Sequence, residues 1–139
     1  ATIKIIDAGN VYLASRYFHV MTIVDSDLST NKLYWLIRSG TIRAVGGAAY
    51  YEQTYVANTY RYLKIREASG TIYWDYSADG INWTNATSIA NPFSITSKVV
   101  LIEDYVEAEA STTTAKVDDF NILPSAGGFM TTNRGFWGA

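Results

Sequence analysis

The chain has 139 residues, 48% of them hydrophobic and 14% aromatic, so it is long enough for one domain with a single hydrophobic core. A formal net charge of −2 with both signs interspersed makes nucleic acid and acidic membrane surfaces poor candidate partners. The lack of cysteine excludes disulfides, thiolate metal sites and cysteine nucleophiles, and no apolar run reaches the roughly 18 residues needed to span a bilayer.

Short segments that alternate apolar and polar residues predict β-strands along the chain. They recur about every ten residues, with Gly, Asn, Asp or Ser at nearly every break, and no long helical period occurs. This spacing predicts an all-β, antiparallel two-sheet β-sandwich of jelly-roll type. The predicted strands are Thr2–Ile6, Val11–Ala14, Tyr17–Val24, Leu33–Arg38, Ile42–Val45, Ala49–Val56, Tyr60–Glu67, Thr71–Ser77, Asn82–Ile89, Ser97–Glu103, Val106–Ala110 and Ala115–Ile122.

Two polar features precede residue 60. His19, the single histidine, lies in a predicted strand with no nucleophile motif beside it, so we expect it to be an ordinary strand residue. The next loop offers hard oxygen ligands of the kind that Ca²⁺ prefers, at Asp25, Asp27 and Asn31. This loop lacks the central glycine and final glutamate of an EF-hand. We therefore predict no cofactor, with structural calcium at these three residues as the alternative.

The segment from Arg61 to Trp83 predicts two successive β-hairpins. In its first strand Leu63 and Ile65 alternate with charged residues, and a glycine-bearing turn follows. Asp79-Gly80 supplies the second turn, because such a pair tolerates positive φ and matches the twist of the flanking strands. In the strand between the turns, one face is predicted to carry Ile72, Trp74 and Tyr76 and the other Tyr73 and Asp75.

These hairpins, together with two later segments, resemble the concanavalin-A-like, laminin-G-like jelly-roll modules found in bacterial secreted glycan-active proteins and phage virion proteins. The resemblance implies a jelly-roll fold and a non-catalytic binding or structural module, without specifying the ligand, because this fold hosts many ligands. It covers about half of the chain and lies in YLKIRE (62–67), GTIYWDYSADGINW (70–83), NPF (91–93) and TTTAKVDDFN (112–121).

The similar modules carry more strands before the segment that matches Tyr60 than this chain has room for. We therefore expect a sandwich that is short or is completed by a neighbouring subunit, since unpaired sheet edges recruit strands. The candidate exchanged strand is Ala1–Ile6, with Ile3 and Ile5 as contacts of a homo-oligomer.

Tyrosines supply the candidate binding residues. A Tyr or Trp ring can stack on the face of a sugar while nearby polar groups bind its hydroxyls. The dense tyrosine cluster at 50–60 is hard to bury completely, because each hydroxyl needs a hydrogen-bond partner. The candidate ligand-binding residues are Tyr50, Tyr51, Tyr55, Tyr60, Tyr73 and Asp75.

Glycoside hydrolysis is the enzymatic alternative, since it uses two carboxylates at a set separation. Glu107 and Glu109 lie two apart on a predicted strand, which places them on one face about 7 Å apart. Their surrounding run, VEAEA, lacks the acidic pattern of glycosidases with this fold. We therefore assign no catalytic residue and expect a protein that is not an enzyme.

The domain is predicted to occupy residues 1–123, followed by a tail at 124–139. The tail combines glycines with the anchor residues Phe129, Phe136 and Trp137, which either fold onto their own sandwich or dock on another subunit. The complete prediction is a surface-displayed module of a virion or an extracellular assembly. Glycan binding and a purely structural, decoration-type role are both left open, and we expect no membrane insertion.

Overall fold

The computed structural model describes residues 1–12, 16–25, 32–90, 98–106 and 115–121. All regular structure in these ranges is β-strand, which confirms the predicted all-β class, and they include no helix suited to crossing a membrane. The strands are β1 (Thr2–Asp7), β2 (Arg16–Asp25), β3 (Leu33–Arg38), β4 (Thr41–Gly46), β5 (Ala49–Thr54), β6 (Tyr62–Ala68), β7 (Thr71–Ser77), β8 (Thr84–Ala90), β9 (Lys98–Val106) and β10 (Lys116–Asp118).

These strands form two antiparallel sheets of five strands each. The first sheet has the order β10-β1-β6-β7-β8 and the second the order β5-β4-β3-β2-β9. Their apolar faces pack against each other, with β3 facing β6 and the edge strands β5 and β8 in contact. The fold is therefore the predicted β-sandwich.

Two buried tryptophans tie the sheets together. Trp35 in β3 donates its indole N–H to the backbone oxygen of Lys64 in β6, at 3.1 Å. Trp74 in β7 donates to the backbone oxygen of Tyr34 in β3, at 3.2 Å. Both rings are fully buried. A buried indole N–H needs a partner, and here each one finds it on the opposite sheet, which fixes the position of one sheet relative to the other.

The predicted hairpins are present. β6 and β7 pair from Tyr62 opposite Ser77 to Ala68 opposite Thr71. The connecting residues Ser69 and Gly70 both have positive φ, at 50° and 77°, as the two-residue hairpin turn of this hand requires. The following turn is organised by the side chain of Asp79, so β8 begins at Thr84 and not at the predicted Asn82.

Several strand bounds differ from the predictions. The predicted strand at Val11–Ala14 is wrong at its start, because Val11 and Tyr12 form a turn. β9 runs unbroken through Asp104, although a break was predicted there, because it pairs with β2 as far as Val106. β10 is shorter than predicted and ends at Asp118, since the next residue has a positive φ of 51°.

The N-terminal strand lies inside its own sheet. β1 pairs with β6 on one side and with β10 on the other. Ile3 and Ile5 are 0% and 5% exposed and belong to the core of their own chain. In this arrangement their side chains are buried within their own chain and do not form part of its surface. The other predicted contact residues, Phe129, Phe136 and Trp137, lie outside the described residues together with the whole tail at 124–139.

Candidate functional site

The predicted ligand-binding residues occupy three separate places. Tyr51, Tyr55 and Tyr60 lie together near one margin of the sandwich. Tyr50 lies on the outer face of the second sheet, and Tyr73 and Asp75 lie on the outer face of the first. The six residues therefore do not form one site.

The first group is a packed tyrosine cluster. The hydroxyls of Tyr51 and Tyr60 are 2.8 Å apart and share a hydrogen bond. The ring of Tyr60 lies 4.7 Å from that of Tyr76 and 6.3 Å from that of Tyr55, measured between centroids. Burial, together with the bond to Tyr60, raises the pKa of Tyr51 to about 12. The hydroxyls of Tyr51 and Tyr60 satisfy each other, so these two residues have a packing role, whereas Tyr55 also lines a cleft that is described below.

Tyr50 is isolated from that cluster. Its side chain is 60% exposed, and its hydroxyl donates to Glu52 at 2.7 Å. The same carboxylate pairs with Arg43 on the neighbouring strand. The bond from Tyr50 lowers the pKa of Glu52 below its usual value. These three residues form a hydrogen-bonded network on the outer face of the second sheet.

Asp75 is buried, although it was predicted as a binding residue. It is 3% exposed, and its carboxylate accepts hydrogen bonds from Arg66 Nε at 2.6 Å and from Asn85 Nδ2 at 2.9 Å. Arg66 in turn stacks on Tyr73, with its guanidinium carbon 4.0 Å from the ring centroid. Asp75 therefore positions the side chains of Arg66 and Asn85 and exposes little surface of its own.

A cleft of about 330 Å³ lies where the end of β1, the loop after it and the loop between β5 and β6 meet. That volume is at the lower end of the range of about 300–1,000 Å³ seen for small-molecule sites. Its polar and aromatic lining consists of Asp7, Tyr12, Tyr55, Asn58 and Arg61, and apolar side chains such as Ile6 complete it.

The wall formed by the loop after β1 is held by Arg16. This buried arginine donates from Nη1 to the backbone oxygens of Ala8 and Asn10, at 2.7 and 2.9 Å. Its Nε and Nη2 bind both carboxylate oxygens of Asp104 in β9, at 2.8 and 2.7 Å. A two-pronged pair of this kind fixes the guanidinium strongly. The loop is therefore tied to the second sheet before any ligand arrives.

Hydrogen bonds between residues close in sequence shape the loop after β1, which forms one wall of the cleft. Asp7 Oδ1 accepts from the backbone N–H of Gly9 at 2.8 Å, and Asn10 Oδ1 accepts from that of Tyr12 at 3.2 Å. Such side-chain-to-backbone bonds compete with strand formation, which explains the turn found here. Opposite, the backbone N–H of Tyr55 donates to the oxygen of Gly40 at 2.9 Å.

The cleft combines ring surfaces with hydrogen-bonding groups. Tyr12 is 77% exposed, whereas Tyr55 is half-buried and stacks on Tyr60 behind it. Burial raises the pKa of Tyr55, and the nearby Asp7 carboxylate acts in the same direction. Arg61 donates from Nη2 to Asn58 Oδ1 at 3.0 Å. The arrangement can stack on an apolar ring face while donating to and accepting from hydroxyl groups.

Sequence reasoning found Tyr55 but missed the other polar and aromatic groups of the cleft. A signal existed in the DAGN run at 7–10, whose composition is typical of a turn, and Tyr12 lies two residues after this run. No comparable signal marked Asn58 or Arg61, which enter the site only through the folding of the β5–β6 loop.

The remaining candidates from the sequence are His19, the calcium loop and the glutamate pair, and none of their described residues lines the cleft. The ring of His19 stacks on Tyr34 at 5.2 Å and its Nδ1 lies 3.8 Å from Glu103, and burial lowers its pKa. Of the calcium candidates, Asp25 ends β2, while Asp27 and Asn31 lie outside the described residues, as do Glu107 and Glu109. Within the described ranges, no group of three His, Cys, Asp or Glu residues is placed to hold a metal ion.

Comparison with known proteins found no matching family model, no similar curated protein and no similar solved structure. The fold is therefore shown at the level of an antiparallel β-sandwich with two sheets of five strands.

Proposed function

We propose that this protein is a non-catalytic sugar-binding module that holds its ligand in the cleft between the β1 end and the β5–β6 loop. The observation that carries the proposal is the pairing of the exposed ring of Tyr12 with Asp7, Asn58 and Arg61 around a cleft of about 330 Å³. A pyranose ring offers a flat C–H face on which an exposed tyrosine ring such as that of Tyr12 can stack, while polar groups around the ring bind the sugar hydroxyls.

The polar groups provide the direction that stacking lacks. Asp7 can accept from sugar hydroxyls, since one carboxylate oxygen remains beyond the bond to Gly9. Arg61 donates, and its partner Asn58 limits the positions that the guanidinium adopts. Because the loop after β1 is held by Arg16, little entropy is lost on ordering it when ligand binds.

The proposal is for binding and not for hydrolysis. Among the described residues that line the cleft, Asp7 is the one carboxylate, whereas glycoside hydrolysis uses a pair. The setting that we propose, the surface of a virion or an extracellular assembly, rests on the resemblance of residues 62–121 to jelly-roll modules. In such a setting many copies act together, so a shallow site of weak affinity becomes effective through multivalency.

A glycan array followed by calorimetry on the best ligand tests the proposal. Replacing Tyr12 with Ala is expected to weaken binding about tenfold, since aromatic stacking and its buried area contribute on the order of 1.4 kcal/mol. Tyr50→Ala is the matched control, because Tyr50 is also an exposed tyrosine but lies outside the cleft. No binding above background to any glycan, or equal losses in both variants, would contradict the proposal.

A further inference from the structure

The outer face of the first sheet carries two cations that are held in place by aromatic rings. Arg66 lies over the ring of Tyr73, and the Nζ of Lys64 lies 3.7 Å from the centroid of the Trp83 ring. The two cations are two residues apart on β6 and share its outer face, so their Cα atoms are about 6.7 Å apart. This surface is distinct from the cleft, whose lining includes none of these four residues.

The guanidinium of Arg66 is held by a carboxylate along one edge and by an aromatic ring on one face. Its Nε donates to the buried Asp75 at 2.6 Å, and Tyr73 supports the plane of the guanidinium. Asn85 holds the other oxygen of Asp75 at 2.9 Å. Within the described part of the chain, the terminal nitrogens of Arg66 make no hydrogen bond. A guanidinium fixed along one edge keeps the paired donors of its other edge for an outside acceptor.

The ammonium group of Lys64 is likewise held by an aromatic ring. It lies over Trp83 and makes no hydrogen bond to any residue that the structure describes. Burial lowers the pKa of Lys64, and Arg66 acts in the same direction, while Asp75 opposes both. The two cations therefore repel each other across a short distance, and the one carboxylate that attracts both, Asp75, is bound by Arg66. An anion placed between them would relieve that repulsion.

From this geometry we infer that Lys64 and Arg66 form a second binding surface, which takes the carboxylate group of an acidic sugar. The inference rests on the proposed function, because it names the chemical class of glycan that the module recognises. A carboxylate suits the site because its two oxygens match the planar donor pair of Arg66, and Lys64 adds a point charge beside them.

The test compares an oligosaccharide of uronic acids with the same oligosaccharide after reduction of its carboxyl groups. Wild-type protein is expected to bind the acidic form at least tenfold more tightly at low salt, and to lose that preference at high salt. Lys64→Gln should remove about a factor of ten from the affinity for the acidic form, leaving that for the reduced form unchanged. Arg66→Lys keeps the charge but removes the donor pair, and should act in the same way.

Lys32→Gln is the matched control, because it makes the same change of charge at an exposed lysine next to the other sheet. Equal affinity for the two sugars, or a preference kept in both Lys64→Gln and Arg66→Lys, would overturn the inference. If a sulfated counterpart binds more tightly than the uronic acid, the assignment to carboxylate is wrong.

Tyr12→Ala separates this inference from the proposed function. If the wild type binds both sugars with equal affinity and Tyr12→Ala binds neither, the second surface is refuted and the cleft is supported. A preference for the acidic form that needs Lys64 but not Tyr12 refutes the cleft and leaves the second surface. Binding of neither sugar refutes both proposals.

Discussion

Gly46→Ala tests how closely the two sheets are packed. A Cβ atom built on Gly46 in β4 would lie 2.5 Å from Leu33 Cδ2 and 2.7 Å from Trp74 Cζ2. Neither distance is tolerable between carbon atoms, so a neighbour must move. The end of Leu33 can rotate, but the Trp74 ring is fully buried and is held by its bond to Tyr34. Overpacking of this kind costs about 1–3 kcal/mol.

Part of that cost is offset, because alanine loses less backbone entropy than glycine on folding, by up to about 1 kcal/mol. We therefore expect a net loss of roughly 1–2 kcal/mol in the free energy of unfolding, measured by urea titration followed by far-UV circular dichroism. Trp74→Phe removes the ring atoms that clash, so it should be less damaging in the Gly46→Ala background than alone. A neutral Gly46→Ala, or strict additivity of the two changes, would contradict the close approach of Gly46 to Trp74.

Two further predictions concern the polar groups that hold loops. Arg16→Met should lower the free energy of unfolding by about 2–4 kcal/mol, since Asp104 loses its arginine partner and keeps only the backbone N–H of Ala115. The same substitution should weaken sugar binding in the cleft, measured by calorimetry at a temperature where the variant is folded. Stability lost without any change in affinity would show that Arg16 does not position the cleft. Asp79→Asn should destabilise the protein at neutral pH, because four hydrogen bonds from Ser77, Ile81 and Asn82 hold the pKa of Asp79 far below its usual 3.8. A depressed pKa gives stability that is present above the pKa of the unfolded state and is lost as pH falls through the pKa of the folded state. The difference in free energy of unfolding between wild type and Asp79→Asn, measured by urea titration, should therefore narrow below pH 3.8. A difference that widens there would refute the assignment.

Alternation in the sequence predicted the central hairpin almost completely. Leu63 and Ile65 were placed on one face of β6, and both are buried. The same pattern placed Trp74 inside and Asp75 on the opposite face of β7, which the structure confirms. A period of two determines the face of a residue because the backbone itself imposes it. The period of two does not show how deeply a side chain on the outer face is buried. The burial of Asp75 beneath Arg66 could therefore not be predicted.

The turn at Val11 shows the opposite case. The apolar residues from Val11 onward predicted a strand, but Asn10 binds the backbone N–H of Tyr12 and Asp7 binds that of Gly9 just before it. Local side-chain bonds of this kind decide between two structures that an apolar pattern alone cannot separate. The exposed position of Tyr12 follows directly from that choice.

The cleft was beyond prediction because its residues meet only through the sheet order. Asp7 and Arg61 are distant in sequence, and they are neighbours because β1 lies beside β6. Arg16 holds the loop after β1, and Asp104 fixes Arg16, because the pairing of β9 with β2 brings the two residues together. The site therefore depends on long-range pairing in both sheets at once. A change that loosens β9 from β2 should disturb the cleft even though no residue of β9 lines it.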